Sequence, residues 1–164
     1  MLSRDATVAE RARLLRIYGW RQRYLSEEHS TVSRLDEIQA ALLSAKLPHL
    51  DAWNARRREL AAQYVSELAG VVETLPPEGV FHLFVIRTPR RDALKAFLAE
   101  RGIGTDIHYP FPVHEQPPFA QFARGPLPET ERLAREVLSL PLYPELSESD
   151  VDYVAQQVRG FFGA

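Results

Sequence analysis

The sequence predicts an α/β protein: a small, mostly parallel or mixed sheet with flanking helices, and one long helical run interrupted by a proline. Two observations predict it. Apolar residues recur at helical spacing in several stretches, and short apolar runs bounded by turn residues lie between those stretches. A hydrophobic content of 45% with 26% charge over 164 residues is enough for a real core.

The elements follow in order. Asp5 can cap a helix whose apolar positions Val8, Ala12, Leu15 and Tyr18 share one face, with Gly19 placed to end it. A polar, irregular stretch runs to about Ser33. Ile38, Leu42 and Ala45 then trace one helix face, and Trp53, Leu60, Tyr64 and Leu68 another. Pro48 lies between them and must break or kink the run, because it lacks an amide hydrogen and its ring crowds the preceding turn. Gly70 ends this second stretch.

"VVETL" is a short strand, "PPEGV" is turn chemistry, and "FHLFVIR" is apolar enough for a strand covered on both faces. Thr88 and Pro89 open a helix with Leu94, Phe97 and Leu98 inward, and Gly102 closes it before a third strand, "IGTDIHY". A strand, helix, strand unit of this length implies that the two strands run parallel. After a proline-rich loop, "PETERLAREVLSL" reads as one helix and "SESDVDYVAQQVRGFF" as another, the latter capped by Ser147 with Asp150 three residues on.

Composition narrows the function. With no cysteine, disulfides and thiolate-based metal or redox sites are excluded, and the reducing cytoplasm is the expected location. The opening "MLSRDATVAERARLL" is broken by charge, so it lacks the apolar core of a signal peptide, and no stretch approaches a membrane span. A net charge of −2 gives no general attraction to nucleic acid. Eighteen arginines stand against two lysines, Lys46 and Lys95. Arg4, Arg11, Arg13, Arg16, Arg21 and Arg23 form a basic opening and Arg56 to Arg58 a second cluster; both read as solvated helix faces, since no aromatic residues are interleaved at regular spacing.

The densest chemistry lies in "GIGTDIHYPFPVHEQPPF", residues 102–119. Asp106, His108, His114 and Glu115 have metal-ligand chemistry, but their spacing matches no signature, and Pro110 and Pro112 prevent the helix that would align two histidines. Proline-fixed backbone also serves to hold His108, Tyr109 and His114 in set directions at low entropic cost. Spacing alone leaves a chemical site, a docking surface and a stiff connector open. Ser30 and Ser33 lie near His29 without a third, orienting group. Arg34 and Asp36 stand at a helix entrance, where exposed amides favour anions.

Five segments, in order, carry a resemblance: "LLRIYGW", "SRLDEIQAALLSAKLPHLDAWNARRRELAAQY", "HLFVIR", "LAERGIGTDIHYPFPVHEQPPF" and "AREVLSLPLYPELSESDVDYVAQQV". They resemble the C-terminal half of the pyridoxal-phosphate-dependent nucleotide-sugar aminotransferases of the DegT/DnrJ/StrS type, which share the aspartate aminotransferase fold. The resemblance implies that residues 1–33 are the tail of a large cofactor-binding domain and 34–164 the small C-terminal domain. It implies pyridoxal 5'-phosphate as cofactor, a nucleotide-sugar substrate, and a homodimer or a complementary chain carrying the large domain as partner, with no nucleic acid and no membrane.

The family's chemistry rests on a lysine bonded to the cofactor, which the resemblance places upstream of Met1. Lys46 and Lys95 fall on polar helix faces, so the chain alone is expected not to catalyse transamination. Where the family carries an asparagine on the cofactor phosphate of the neighbouring subunit, this chain has Val32, which passes that contact to Ser33 or Arg34. The family's "HYP" loop borders the substrate cleft, which makes His108, Tyr109 and His114 the substrate-side residues. Two alternatives remain: a non-catalytic binding module that keeps the small-domain fold, and part of a related dehydratase that uses the same cofactor.

Overall fold

The computed structural model of the chain describes residues 3–164 apart from Arg23, Thr31, Leu75 and Pro77, and of Ala120 the backbone alone. Arg23 of the basic opening, Leu75 of the "VVETL" run and Pro77 of the "PPEGV" turn therefore lie outside the described residues. The chain divides into two compact units, residues 1–49 and 50–164.

The first unit begins with α1, Ala6–Leu15. The Asp5 carboxylate accepts the Thr7 and Val8 amides at 2.8 and 3.3 Å, as its position in the sequence predicts. Leu14, not Leu15, is the buried residue of this helix. Gly19 follows with φ +68, and a β-carbon there would meet the Glu28 carbonyl oxygen at 2.2 Å, so only glycine fits this turn. It leads into a short antiparallel hairpin of β1, Trp20–Gln22, and β2, Leu25–Ser26. The helix α2, Glu37–Lys46, comes next. Its apolar face is present as predicted, yet Ile38 is 77% exposed and Leu42 60%.

Pro48 has the predicted effect: a three-residue 3-10 turn, Leu47–His49, separates α2 from α3, Leu50–Glu67. In the second unit α3 buries Leu60, Ala61 and Tyr64, with Leu68 just beyond its end. The chain then forms β3, Glu73–Thr74, and β4, Phe84–Arg87. The helix α4, Arg91–Ala99, buries Leu94 and Leu98 and packs Phe97 at the core margin. Later come α5, Pro128–Glu136, β5, Val137–Leu140, and α6, Glu148–Phe162. Ser147 and Asp150 form the expected reciprocal cap at the start of α6. Tyr64 stacks on Phe84 with ring centroids 4.8 Å apart and donates its hydroxyl to the Pro141 carbonyl at 3.1 Å, joining α3 to the sheet.

The α/β class stands, and the sheet sense differs from expectation. The order is β3-β4-β5, and among the described residues every pairing is antiparallel. Two readings account for the difference. "PETERLAREVLSL" is not one helix: it stops at Glu136, and "VLSL" becomes β5, whose Leu138, Ser139 and Leu140 are all buried. An apolar run ahead of Pro141 sits better as a covered strand than as a further helical turn. "IGTDIHY" is not a full strand either; it makes one antiparallel bridge, Asp106 to Ser139, on the open side of β5. Antiparallel to β5 on both sides, β4 and the Asp106 segment share one direction, as the strand, helix, strand argument requires, but β5 lies between them.

Candidate functional site

The candidate site is built where the loop after α4 crosses β5. The Ser139 amide donates to the Asp106 carbonyl at 2.8 Å, and the Asp106 amide returns a bond to the Ser139 carbonyl at 3.2 Å. This double bond to a buried strand fixes the loop two residues before His108. His108 Nδ1 lies 3.0 Å from Ser139 Oγ, and its Nε2 lies 3.7 Å from Asp106 Oδ2. The Asp106 side chain also accepts the Ile107 amide at 2.8 Å. The ring of Tyr109 stands edge-on to that of His108 at 5.6 Å, and the peptide bond between the two residues is cis.

His108 and Tyr109 line an open groove of about 580 Å³ whose other walls are mostly apolar, with Phe111, Pro112 and Val113 from the loop and Leu133 and Val137 from α5 and the start of β5. An apolar trough with a few placed polar groups is the common form of a small-molecule site. At its far end the loop is tied down again. His114 Nε2 meets Glu131 Oε1 at 3.3 Å, and the same oxygen accepts the Leu127 amide at 2.9 Å. Those two contacts, the amide first and the imidazole second, hold the Glu131 carboxyl below its ordinary pKa.

The predicted residues thus separate into groups. His108 and Tyr109 share the groove, whereas His114 anchors the loop to α5. The donor groups that gather are not the four the sequence suggests: His108 pairs with Asp106, while His114, Glu115 and Glu131 bring ligand atoms within 4.8 Å of one another. In that trio Glu131 Oε1 is already engaged by protein donors. Sequence reasoning missed Ser139 and Glu131, because both fell within a stretch read as a single amphipathic helix. The signal for Ser139 was a lone hydroxyl in an apolar run before a proline. Arg91 was missed as well: it is buried and donates to the Ala134 and Val137 carbonyls at 3.2 and 3.3 Å, stapling α4 to the end of α5 where the groove begins.

Ser33 and Arg34 belong to the first unit. The Ser33 amide donates to the Arg16 carbonyl at 3.0 Å, and Val32 bridges Ile17, so this stretch is held as extended backbone. Both side chains are exposed, and among the described residues neither has a polar partner. An exposed hydroxyl and an exposed guanidinium fit a phosphate group. Lys46 is exposed at the end of α2, and Lys95 sits half-buried on α4 and does not line the groove.

A model of the DegT/DnrJ/EryC1/StrS aminotransferase family matches residues 1–159. The chain is 49% identical over 163 residues to the dTDP-3-amino-3,4,6-trideoxy-alpha-D-glucose transaminase of Streptomyces venezuelae, covering 94% of this chain and 43% of that one. It is 43% identical over 172 residues to a pleiotropic regulatory protein of Geobacillus stearothermophilus, covering 99% of this chain and 46% of that one. The crystal structure of Streptomyces venezuelae DesV superposes with a TM-score of 0.90 at 48% identity, over 98% of this chain and 45% of its own. The chain therefore spans less than half the length of these relatives.

Proposed function

The chain belongs to the DegT/DnrJ/EryC1/StrS aminotransferase family, and on that premise we propose that it supplies the C-terminal portion of a pyridoxal-phosphate-dependent aminotransferase. That enzyme moves an amino group from an amino acid to a keto nucleotide-sugar in the cytoplasm. The observation that carries the reading is the match of both sequence and fold over nearly the whole chain to a nucleotide-sugar transaminase. Residues 1–33 are the remnant of the large cofactor-binding domain and 34–164 the small domain. When bound, the cofactor supplies the electron sink for proton removal next to the amino group. This chain's own residues bind and orient: Ser33 and Arg34 offer donors to the cofactor phosphate, and His108 and Tyr109 wall the sugar side. His114 keeps that wall in place through Glu131.

Without a lysine at the groove, the 164-residue chain does not transaminate by itself. It works as a homodimer or with a complementary chain that carries the large domain. The exposed apolar side chains of α2 support this, since apolar patches of that kind seldom stay uncovered. The test has two arms. The chain, given pyridoxal phosphate, an amino donor and a keto nucleotide-sugar, yields no aminated sugar; addition of a complementary large-domain chain restores turnover. Turnover by the chain alone overturns the reading. In the restored enzyme His108→Ala raises KM for the sugar about tenfold, the equivalent of ~1.4 kcal/mol, and unchanged kinetics return the loop to a connector.

A non-catalytic role is the second reading, favoured by the regulatory name of the Geobacillus stearothermophilus relative. A clean monomer in sedimentation, indifferent to the large-domain chain, selects it.

A further inference from the structure

We propose that Ser139 is a positioning residue that holds the neutral His108 ring in its Nε2–H form, so that His108 meets an oxygen of the nucleotide sugar as a hydrogen-bond donor. The ligand half of this statement rests on the assignment of His108 to the substrate wall; the tautomer half does not.

Ser139 is the one polar side chain in β5, between Leu138 and Leu140, and it is 5% exposed. A hydroxyl buried there without a partner is costly. Among the described residues its side-chain partner is His108 Nδ1, at 3.0 Å. Its backbone amide and carbonyl both bond Asp106, and it stands opposite Val85 of β4 in the sheet register, so the hydroxyl has a fixed origin. The same bridge fixes the loop from which His108 springs. Ring and hydroxyl are thus set by one piece of backbone.

The polarity of the contact follows from the other nitrogen. Nε2 faces the Asp106 carboxylate at 3.7 Å, and a negative charge on that side favours N–H over a lone pair. With the proton on Nε2, the Nδ1 lone pair accepts the Ser139 hydroxyl, and both groups are satisfied. The opposite tautomer turns a lone pair toward the carboxylate. A partner on one imidazole nitrogen decides what the other can offer, and here the offered group is a donor. Its complement is an acceptor oxygen, from either the diphosphate or the sugar ring.

Long-range proton–nitrogen NMR on the 15N-labelled 164-residue chain tests this directly, at about pH 8, above the ordinary imidazole pKa of about 6.5. The expected result is His108 in the Nε2–H form, with Nδ1 shifted as an acceptor. In Ser139→Ala the ratio of the two tautomers falls about tenfold while the backbone amide spectrum keeps its dispersion. An Nδ1–H form in the unaltered chain, or an unmoved ratio in Ser139→Ala, overturns the proposal. With the complementary large-domain chain present, adding a nucleoside diphosphate and then a nucleotide sugar separates the oxygen sources: a His108 shift with both identifies the diphosphate, and a shift with the sugar nucleotide alone identifies the sugar. No shift with either removes His108 from the substrate wall and leaves the tautomer result to judge Ser139.

Discussion

The two compact units have similar helical patterning and opposite fates. Residues 50–164 bury seventeen side chains in a shared cluster that joins α3, β4, α4, β5 and α6. Residues 1–49 bury one among the described residues, Leu14. Their apolar residues are no fewer in kind: Leu35, Ile38 and Leu42 recur at helical spacing and are all exposed. Periodicity therefore reports that a face is apolar, not that this chain covers it. What covers a helix face is a second layer, and the first unit does not hold one for α2. The chain spans less than half of its relatives' length, and the apolar face of α2 is exposed within it.

The sharpest way to break this contrast is a pair of truncations. Leu60→Ala, in the cluster, costs about 2–5 kcal/mol in urea denaturation, because it removes contacts and leaves a cavity. Leu42→Ala, on the bare face of α2, changes stability by less than about 0.5 kcal/mol. Equal effects would mean that the face is covered. Arg91→Leu sits next in size: it removes donors from two carbonyls at the end of α5 and costs about 1.5–3 kcal/mol by the same measurement. Caps test the two units on equal terms. Asp5→Ala and Ser147→Ala each remove a helix-start acceptor worth about 1 kcal/mol. Only Ser147→Ala shifts the cooperative transition; Asp5→Ala appears as faster amide exchange confined to α1.

The smallest effects are electrostatic. Burial raises the Glu67 carboxyl above its usual pKa, with Asp152 adding to the rise, where α3 meets α6. A raised carboxyl favours folding below its unfolded pKa, and that contribution is lost as pH climbs through the folded value. Glu67→Gln therefore stabilises slightly at pH 7 and not at pH 4. Glu131 has the opposite sign: its lowered pKa favours the folded loop above the unfolded value, and the benefit is lost as pH falls. Carbon NMR titration of Glu131 in His114→Ala shows its pKa moving back up toward the ordinary value, and an unmoved pKa breaks the link between loop and α5.

Much of the fold was legible. The Asp5 and Ser147 caps, the break at Pro48, the inward Leu94 and Leu98 and the closing Gly102 all follow from local rules, and the chain obeys them. His108 and Tyr109 were legible as residues with chemistry, and the structure sets both on one groove. Their supports were hidden. Ser139 matters through an atom 31 residues away in sequence, and His114 through one 17 residues away. No periodicity encodes such a pairing.

By itself the sequence determined where helices start and stop, which faces are apolar, and that only two amines of lysine are present. These are properties of neighbours along the chain, set by backbone hydrogen bonding, side-chain spacing and composition. The tertiary structure alone decided that "VLSL" leaves the helix to lie between β4 and the Asp106 segment, and so which hydroxyl reaches His108. It decided too that one apolar face lies inside and another stays bare. Burial and strand order depend on which distant segments arrive at the same place, and a local pattern carries no record of that.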